Sequence, residues 1–295
     1  MALDRSFQRN PATAPQIFEG QQVEISPEDM ASLKGAVAAL ERTSLVARVS
    51  AFTGRQLDIV GQFIPARFAK MAQRGAAMGL RAALHTALAT LKRRRTNAPV
   101  ISLAEIRASK SRSRSMVAIT GAAGGAFGLG AMAFELPVST ALMLRSIGEI
   151  AVHEGEDLNQ ADAAVACLEV LALGGGKSRD AAALESSYFA ARIVLAQSVQ
   201  EAVRYLASAQ VVDEAAPVLV RLMTQIAARF GVTLSQKLAA QAVPVIGAMG
   251  GASVNLAFIS HFQHLAHGHF TVRRLERKYG ALLVREHYEL LAKAH

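Results

Sequence analysis

The sequence predicts an all-α protein, a multi-helix bundle built around two glycine-rich apolar helices or hairpins, with no significant sheet. Apolar residues make up 52% of the chain, but aromatics contribute only 5% and Trp is absent, so Ala, Leu, Val and Gly supply most of this fraction. No segment alternates convincingly between apolar and polar residues with a period of two. Two long stretches nearly free of charge contain repeated glycines, which suit helices that pack closely. These three observations favour helix over sheet.

The first 25 residues carry charges and prolines without an apolar core, so we expect a disordered tail and not a signal peptide or transmembrane helix. Residues 26–295 are predicted to form a single helical domain. Ser26, Pro27, Glu28 and Asp29 supply an N-cap, a first-turn proline and acidic residues at the positive end of a helix. A helix is therefore predicted to begin there. Gly54 and Gly61 mark a break before the next one.

A basic region follows. Residues 96–115 are rich in Ser and Arg and are predicted to form a linker. Between Ile59 and Phe134 there are twelve basic residues and one acidic residue, a larger surplus than the net charge of +9 for the whole chain. Such a surplus suits an anionic membrane surface or a membrane protein, with a solvated linker as the alternative. The candidate contacts are Lys92, Arg93, Arg94, Arg95, Arg107, Lys110, Arg112 and Arg114.

Nucleic acid is a further alternative partner for these basic residues 92–114, because lysines and arginines also contact phosphates. However, no aromatic side chains interleave with them, and no zinc-finger or RNA-recognition signature occurs in the chain. We therefore do not expect nucleic acid as the partner.

The two apolar stretches are 116–144, in which only Glu135 is charged, and 238–260, which has no charged residue. Each is near the ~20 residues needed to cross a bilayer. Pro137 in the first and Pro244 in the second interrupt them, together with several glycines. A buried helical core and a membrane-inserted hairpin both remain open. We expect the glycine-rich parts, 121–130 and 245–255, to pack against each other, since no strand precedes the first as a nucleotide-binding loop requires.

Further amphipathic helices are predicted around 159–173, 179–209 and 214–229, followed by a charged closing pair over 271–293 broken at Gly280. The stretch LALGGGKS, residues 171–178, ends like a phosphate-binding loop but lacks the required glycine five positions before Gly176, so it is interpreted as a helix stop. Cys167 is the single cysteine and lies on an apolar helical face. We expect it to be buried, in a chain that stays in a reducing cytoplasm.

Charges within apolar helix need a partner or must be neutralised. Arg145 and Glu149 are four residues apart and can pair along one helix face. Structural ion pairing is one interpretation of these charges, and a functional polar pocket is the other. The pocket residues would be Glu135, Arg145, Glu149, Arg192 and Asn255. The sequence assigns no catalytic residue and predicts no cofactor.

Four histidines, His261, His264, His267 and His269, fall within nine residues. On a helix they project from different faces, Gly268 is expected to end the regular geometry, and the spacing matches no known ligand set. No metal site is predicted, and the alternative is a metal-dependent hydrolase that uses His261, His264 and Glu149. The stretch 153–157, HEGED, likewise lacks the second histidine of a zinc-binding H-E-x-x-H motif.

Several motifs in order resemble the EcsC family of bacterial proteins: FELPVSTALMLRSIGEIAVHEGED, LALGGGKS, the stretch from Tyr188 to Arg192, and VPVIGAMGGASVNLAFISHFQHLAHGHFTVRRLERKYG. The resemblance covers roughly residues 27–290. It implies a helical, membrane-associated or transport-accessory role, the family being named for an operon that encodes an ABC transporter, and it implies no catalytic mechanism. We therefore expect an accessory or scaffold protein that binds lipid or a membrane protein at the cytoplasmic face of the inner membrane. Integral insertion and a homo-oligomer stay open.

Overall fold

The computed structural model describes residues 24–41, 76–80, 132–174, 187–208, 213, 215–241 and 247–294. No strand occurs in these ranges, which confirms the all-α prediction for the described part of the chain. A short helical stretch covers 76–80. The longer helices are α1 (Pro27–Glu41), α2 (Met132–His153), α3 (Ala161–Leu173), α4 (Ser187–Ser208), α5 (Pro217–Gln241), α6 (Gly247–Tyr279) and α7 (Ala281–Lys293).

Most predicted helix boundaries are confirmed. α1 begins at Pro27, and the Asp29 backbone N–H donates to Ser26 Oγ over 3.3 Å, as the N-cap prediction requires. α3 ends at Leu173 with Gly174 as its cap, which confirms the predicted helix stop. α5 continues to Gln241, twelve residues beyond the predicted end, because the apolar and small residues after Phe230 continue the helix.

α6 corrects two predictions. It is a single helix of 33 residues, so the apolar stretch that begins it and the first half of the predicted closing pair belong to one element. The expectation that Gly268 ends the regular geometry is wrong, because α6 passes through it. A Cβ added at Gly268 would lie 2.7 Å from Leu40 Cγ and 3.2 Å from the Ala36 carbonyl oxygen. This glycine therefore allows α1 to approach α6. The helix ends before Gly280, whose φ of +90° favours glycine, as predicted.

The main core lies among α2 to α6, with α6 contacting α2, α3 and α5. Its centre holds three aromatic rings, Phe230, Phe258 and Phe262, with centroids 5.2 to 6.2 Å apart. The predicted contact between 121–130 and 245–255 lies outside the described residues, as do the N-terminal tail, Gly54, Gly61 and the linker at 96–115.

A second apolar cluster lies where α1 packs against α6, α7 and the start of α4, and we call it the α1 seat. Its fully or nearly fully buried members are Leu33, Ala36, Val37, Tyr188, Phe189, Val272, Leu275, Val284 and Tyr288.

Candidate functional site

The predicted polar pocket is only partly assembled. Arg145 Nε lies 3.3 Å from Glu149 Oε1, which confirms the pairing along α2. The Arg145 side chain is 65% exposed, so the expectation that it is a charge inside apolar surroundings is wrong. Glu135 lies on α2, but its side chain is outside the described part of the structure. Asn255 is fully buried on α6.

Arg192, the remaining pocket candidate, belongs to a different cluster. It lies on α4 and makes two hydrogen bonds to Glu276 of α6, from Nη1 over 2.7 Å and from Nη2 over 3.2 Å. Its guanidinium carbon also lies 5.5 Å from the centroid of the Tyr188 ring and 5.6 Å from that of Phe189. Glu276, which the sequence did not single out, is therefore the partner of this arginine.

A hydrogen-bonded chain leads from Arg192 into the interior. Arg192 Nη1 lies 3.4 Å from the Tyr188 hydroxyl, which in turn lies 3.0 Å from His269 Nδ1. Because a guanidinium can only donate, the Tyr188 oxygen accepts from Arg192, and its second hydrogen bond joins it to His269 Nδ1. Burial, together with the charges of Arg192 and Arg273, lowers the pKa of His269 well below its ordinary value, so the ring is neutral.

Glu169 is a buried carboxyl that interacts electrostatically with Arg192. It lies on α3 and is 6% exposed. Burial raises the pKa of its carboxyl from 4.5 to about 7, although Arg192 and Arg273 oppose this shift. A carboxyl of this kind changes its charge close to neutral pH. We call Glu169, Tyr188, Arg192, His269 and Glu276 the polar cluster.

A second set of charges joins the loop after α2 to the end of α6, and we call it the ionic network. Glu156 accepts hydrogen bonds from Arg273 Nε over 2.8 Å and from Arg277. Glu154 accepts one from Arg274 Nε over 2.9 Å. Burial opposes the charge of both carboxylates, but it is outweighed at Glu156 by Arg273 and Arg277, and at Glu154 by His267 and Arg274, so each pKa lies below its ordinary value.

Sequence reasoning missed the ionic network. It considered the HEGED stretch only as a failed zinc motif, and it gave no partner to the arginines of VRRLERKYG. The paired residues are 117 to 121 positions apart, so no helical spacing relates them. The available signal was the concentration of acids directly after one helix and of arginines near the end of another.

The four histidines lie on different sides of α6. His261 and His269 are buried, whereas His264 and His267 are exposed. His264 Nδ1 lies 2.7 Å from the Ser260 carbonyl oxygen of its own helix. Within the described ranges, no three His, Cys, Asp or Glu side chains come close enough together to hold a metal ion. The geometry thus offers the hydrolase alternative no centre in this part of the chain.

Cys167 is buried, as predicted, and burial raises the pKa of its thiol to about 12. The thiolate, which is the reactive form, is therefore strongly disfavoured. Nothing in this arrangement makes Cys167 a nucleophile.

The predicted anion contacts from Lys92 to Arg114 lie outside the described residues. Among the residues that are described, one helical stretch, Pro217–Lys237 of α5, is long and apolar enough to cross a membrane. Of its most apolar window, 44% is buried inside the protein, and core helices of soluble proteins can have the same length and composition. The predicted apolar stretches 116–144 and 238–260 are only partly described.

Comparison with known proteins agrees with the resemblance drawn from the motifs. A model of the EcsC protein family matches residues 36–275, which includes α2 to α5 entirely and α6 up to Leu275. No curated protein and no solved structure matches the chain.

Proposed function

The chain belongs to the EcsC protein family, and from this premise we propose that it is an accessory protein that associates peripherally with the cytoplasmic face of the inner membrane. Its basic residues 92–114 bind anionic lipid or a transport-related membrane protein. The helical body carries this segment and presents it to the membrane.

The division of charge along the chain is the observation that supports this proposal. In the described residues, acidic side chains outnumber basic ones by 16 to 13, although the whole chain carries +9. The basic residues near the end of α6, Arg273, Arg274, Arg277 and Lys278, are already paired with carboxylates. The surplus of basic residues therefore lies outside the described residues, mostly between Ile59 and Phe134.

The expected strength of this interaction fits reversible binding. Each lysine or arginine near an anionic membrane surface contributes about 1 kcal/mol, and the attraction decays within a Debye length of about 8 Å at physiological salt. The eight basic residues of 92–114 are enough for binding at low salt without any inserted helix. The same physics predicts release as the salt concentration rises.

Vesicle sedimentation tests the proposal. Arg93, Arg94, Arg95, Arg112 and Arg114 are replaced by Gln, and binding to vesicles that contain phosphatidylglycerol is compared with binding to vesicles of phosphatidylcholine alone. We expect the unsubstituted chain to bind only the anionic vesicles in low salt, and the variant to lose most of this binding. Unchanged sedimentation of the variant would disprove the role of the segment.

A charge-matched control separates the segment from net charge. It carries the same number of Lys or Arg to Gln changes, at exposed positions of the helical body, and we expect it to sediment like the unsubstituted chain. These positions are Lys34, Arg204, Arg221, Arg285 and Lys293.

Membrane fractions from cells then distinguish a peripheral from an integral protein. A peripheral protein is released by a carbonate wash, whereas an inserted one stays with the membrane. Retention after the wash would favour insertion of the apolar stretches over the peripheral association proposed here.

A further inference from the structure

α1 packs mainly on the α1 seat. Its buried apolar side chains, Leu33, Ala36 and Val37, lie in this cluster, and the partly buried Leu40 also packs against the main core. Most other positions of this 15-residue helix are partly or fully exposed. Three buried apolar side chains on α1 are few beside those of the main core, and polar contacts add to the attachment of the helix. These contacts lie at the two ends of the helix.

At the first turn of α1, the carboxylate of Asp29 is held by the last two turns of α6. It accepts hydrogen bonds from Lys278 Nζ over 2.7 Å, from the Tyr279 hydroxyl over 2.8 Å and from Arg274 Nη1 over 3.2 Å. The Asp29 side chain is 8% exposed, but those of Arg274 and Lys278 are 36% and 57% exposed. Ions in solution can therefore reach the cations that hold this end.

At the last residue of α1, Glu41 holds the start of α4. Its Oε2 accepts from the Ser187 backbone N–H over 3.2 Å and from Ser187 Oγ over 2.6 Å. Its Oε1 accepts from the Tyr188 N–H and from the Tyr288 hydroxyl, each over 3.1 Å. Glu41 thus satisfies N–H groups in the first turn of α4 that have no acceptor within that helix. One carboxylate joins α1, α4 and α7.

We propose that α1 detaches from the α1 seat as a unit while the main core stays folded. Asp29 and Glu41 hold its two ends, and we call this helix the strap. Such units of low local stability are found where apolar contacts are few and polar contacts are exposed. The strap holds the chain immediately before residues 42–131, in which fifteen basic residues accompany two acidic ones. When the strap opens, this basic stretch is no longer tied to the helical body at Glu41.

The ion pairs that hold the first turn of α1 weaken as the salt concentration rises, but they do not change over the physiological pH range. Hydrogen bonds from Lys278 and Tyr279 lower the pKa of Asp29 to about 2, so the carboxylate stays charged throughout the neutral range. Salt or competing anions weaken an exposed ion pair but leave apolar packing intact.

Thiol labelling measures this opening directly, because the native Cys167 is buried and disfavours its thiolate. Leu33→Cys places a thiol in the α1 seat, and Leu171→Cys places one in the main core; both leucines are 0% exposed. We expect the L33C thiol to react about tenfold faster or more, because its site opens without global unfolding. The unsubstituted chain supplies the background rate.

Asp29→Asn should raise the labelling rate of L33C by a further factor of about ten and leave that of L171C unchanged. Asp162→Asn is the matched control, because Asp162 also pairs with an arginine of α6, Arg273, but lies on α3. Glu41→Gln should act like Asp29→Asn, whereas Glu289→Gln, within an exposed pair on α7, should not. Raising the sodium chloride concentration should accelerate labelling of L33C alone.

Equal labelling rates for L33C and L171C, or an equal effect of Asp29→Asn on both, would overturn the proposal, because α1 would then open only with the whole protein. If the cysteine variants fail to fold, hydrogen exchange of the unsubstituted chain tests whether α1 opens separately from the main core. Peptides from 27–41 should exchange faster than peptides from 161–173, and Asp29→Asn should widen the difference. Indistinguishable exchange of the two regions would disprove the strap.

Discussion

The pKa of a buried carboxyl is shifted in opposite directions in the main core and beside the α1 seat. Glu169, in the main core, has its pKa raised to about 7 by burial, whereas Asp29, beside the α1 seat, has its pKa lowered to about 2 by hydrogen bonds from Lys278 and Tyr279. Both side chains are almost completely shielded from solvent. Burial dominates at Glu169, whereas at Asp29 the hydrogen bonds from direct partners outweigh it. Ionisation of Glu169 therefore destabilises the main core, whereas the charge of Asp29 stabilises the attachment of α1.

This contrast divides the stability of the protein between two kinds of interaction. The main core is held by aromatic and aliphatic packing, which high salt does not weaken. The α1 seat combines an apolar cluster, smaller than the main core, with ion pairs that are partly exposed. Changes to packing should therefore have the largest effects and act on the whole molecule, whereas changes to charge should be smaller and local.

The largest effect is expected from Phe262→Ala. Phe262 is fully buried between the Phe230 and Phe258 rings, and its ring lies close to Gly174. Removing the ring should lower the free energy of unfolding by about 3 to 5 kcal/mol. Urea denaturation followed by circular dichroism measures this change. Leu290→Ala, at a side chain that is 56% exposed, is the control and should change it by less than about 0.5 kcal/mol. Similar losses for both variants would contradict a core centred on these rings.

Much of this fold could be predicted because its determinants are local. The Ser26 cap, the Gly174 stop and the Gly280 break each act within one turn of a helix, so a short stretch of sequence reveals them. Gly268 shows where this reasoning fails. A glycine inside a helix and a glycine after one look alike in sequence, and only the neighbouring α1, more than 200 residues away, explains why Gly268 lies within α6.

The candidate site was predicted less well for the same reason. Arg145 and Glu149 pair within one helix, and their spacing of four residues predicts this pairing. Arg192 was named as a candidate for the polar pocket, but its partner Glu276 is 84 residues away and follows no spacing rule. The pKa of Glu169 depends on what covers it, which sequence does not specify. Long-range pairing of charges becomes visible only once helices are placed side by side.

Glu169→Gln tests the weakening effect of charge in the main core. Because the folded state keeps the Glu169 proton up to about pH 7 while the unfolded state loses it near 4.5, the unfolding free energy should fall as pH rises through this window. At about 1.4 kcal/mol per pH unit for one proton, the unsubstituted chain should lose about 2 kcal/mol more than the variant between pH 5 and 7. Urea denaturation at several pH values gives the difference.

Asp29→Asn should alter the pH dependence of the free energy of unfolding in the opposite direction. The depressed pKa of Asp29 means that its contribution is present above its ordinary value of 3.8 and is lost as pH falls toward 2. The variant should therefore differ from the unsubstituted chain at pH 5 and converge with it in strong acid. If Glu169→Gln leaves the pH dependence between 5 and 7 unaltered, the contrast between the two carboxyls does not hold.

A smaller, local effect is expected from Gly268→Ala. The added Cβ would crowd Leu40 Cγ at 2.7 Å and the Ala36 carbonyl oxygen at 3.2 Å, so α1 must move outward. We expect the α1 seat to be weakened by about 1 to 2 kcal/mol, measured as faster hydrogen exchange of peptides from 27–41. Peptides from 161–173 should be unaffected.

Gly35→Ala is the matched control for this change, because no atom lies within 4 Å of a Cβ added at Gly35. Its backbone is already helical, so alanine should stabilise α1 by about 0.5 to 1 kcal/mol and slow its exchange. Faster exchange in both variants would show that any added side chain disturbs α1, and that the close approach at Gly268 has no special part in the α1 seat.

The smallest effect should come from Arg145→Gln. The arginine is 65% exposed and its only described ion pair is to Glu149 on the same helix, so the change should cost no more than about 0.5 kcal/mol in urea denaturation. Arg192→Gln should cost several times more, because Arg192 is 25% exposed and its loss leaves Glu276, at 14%, without a cationic partner in the described structure. Equal losses would mean that exposure does not separate the two pairs. The larger loss at Arg192 would extend the rule drawn from Glu169 and Asp29, since an acid shielded from water depends on the partner that holds its charge.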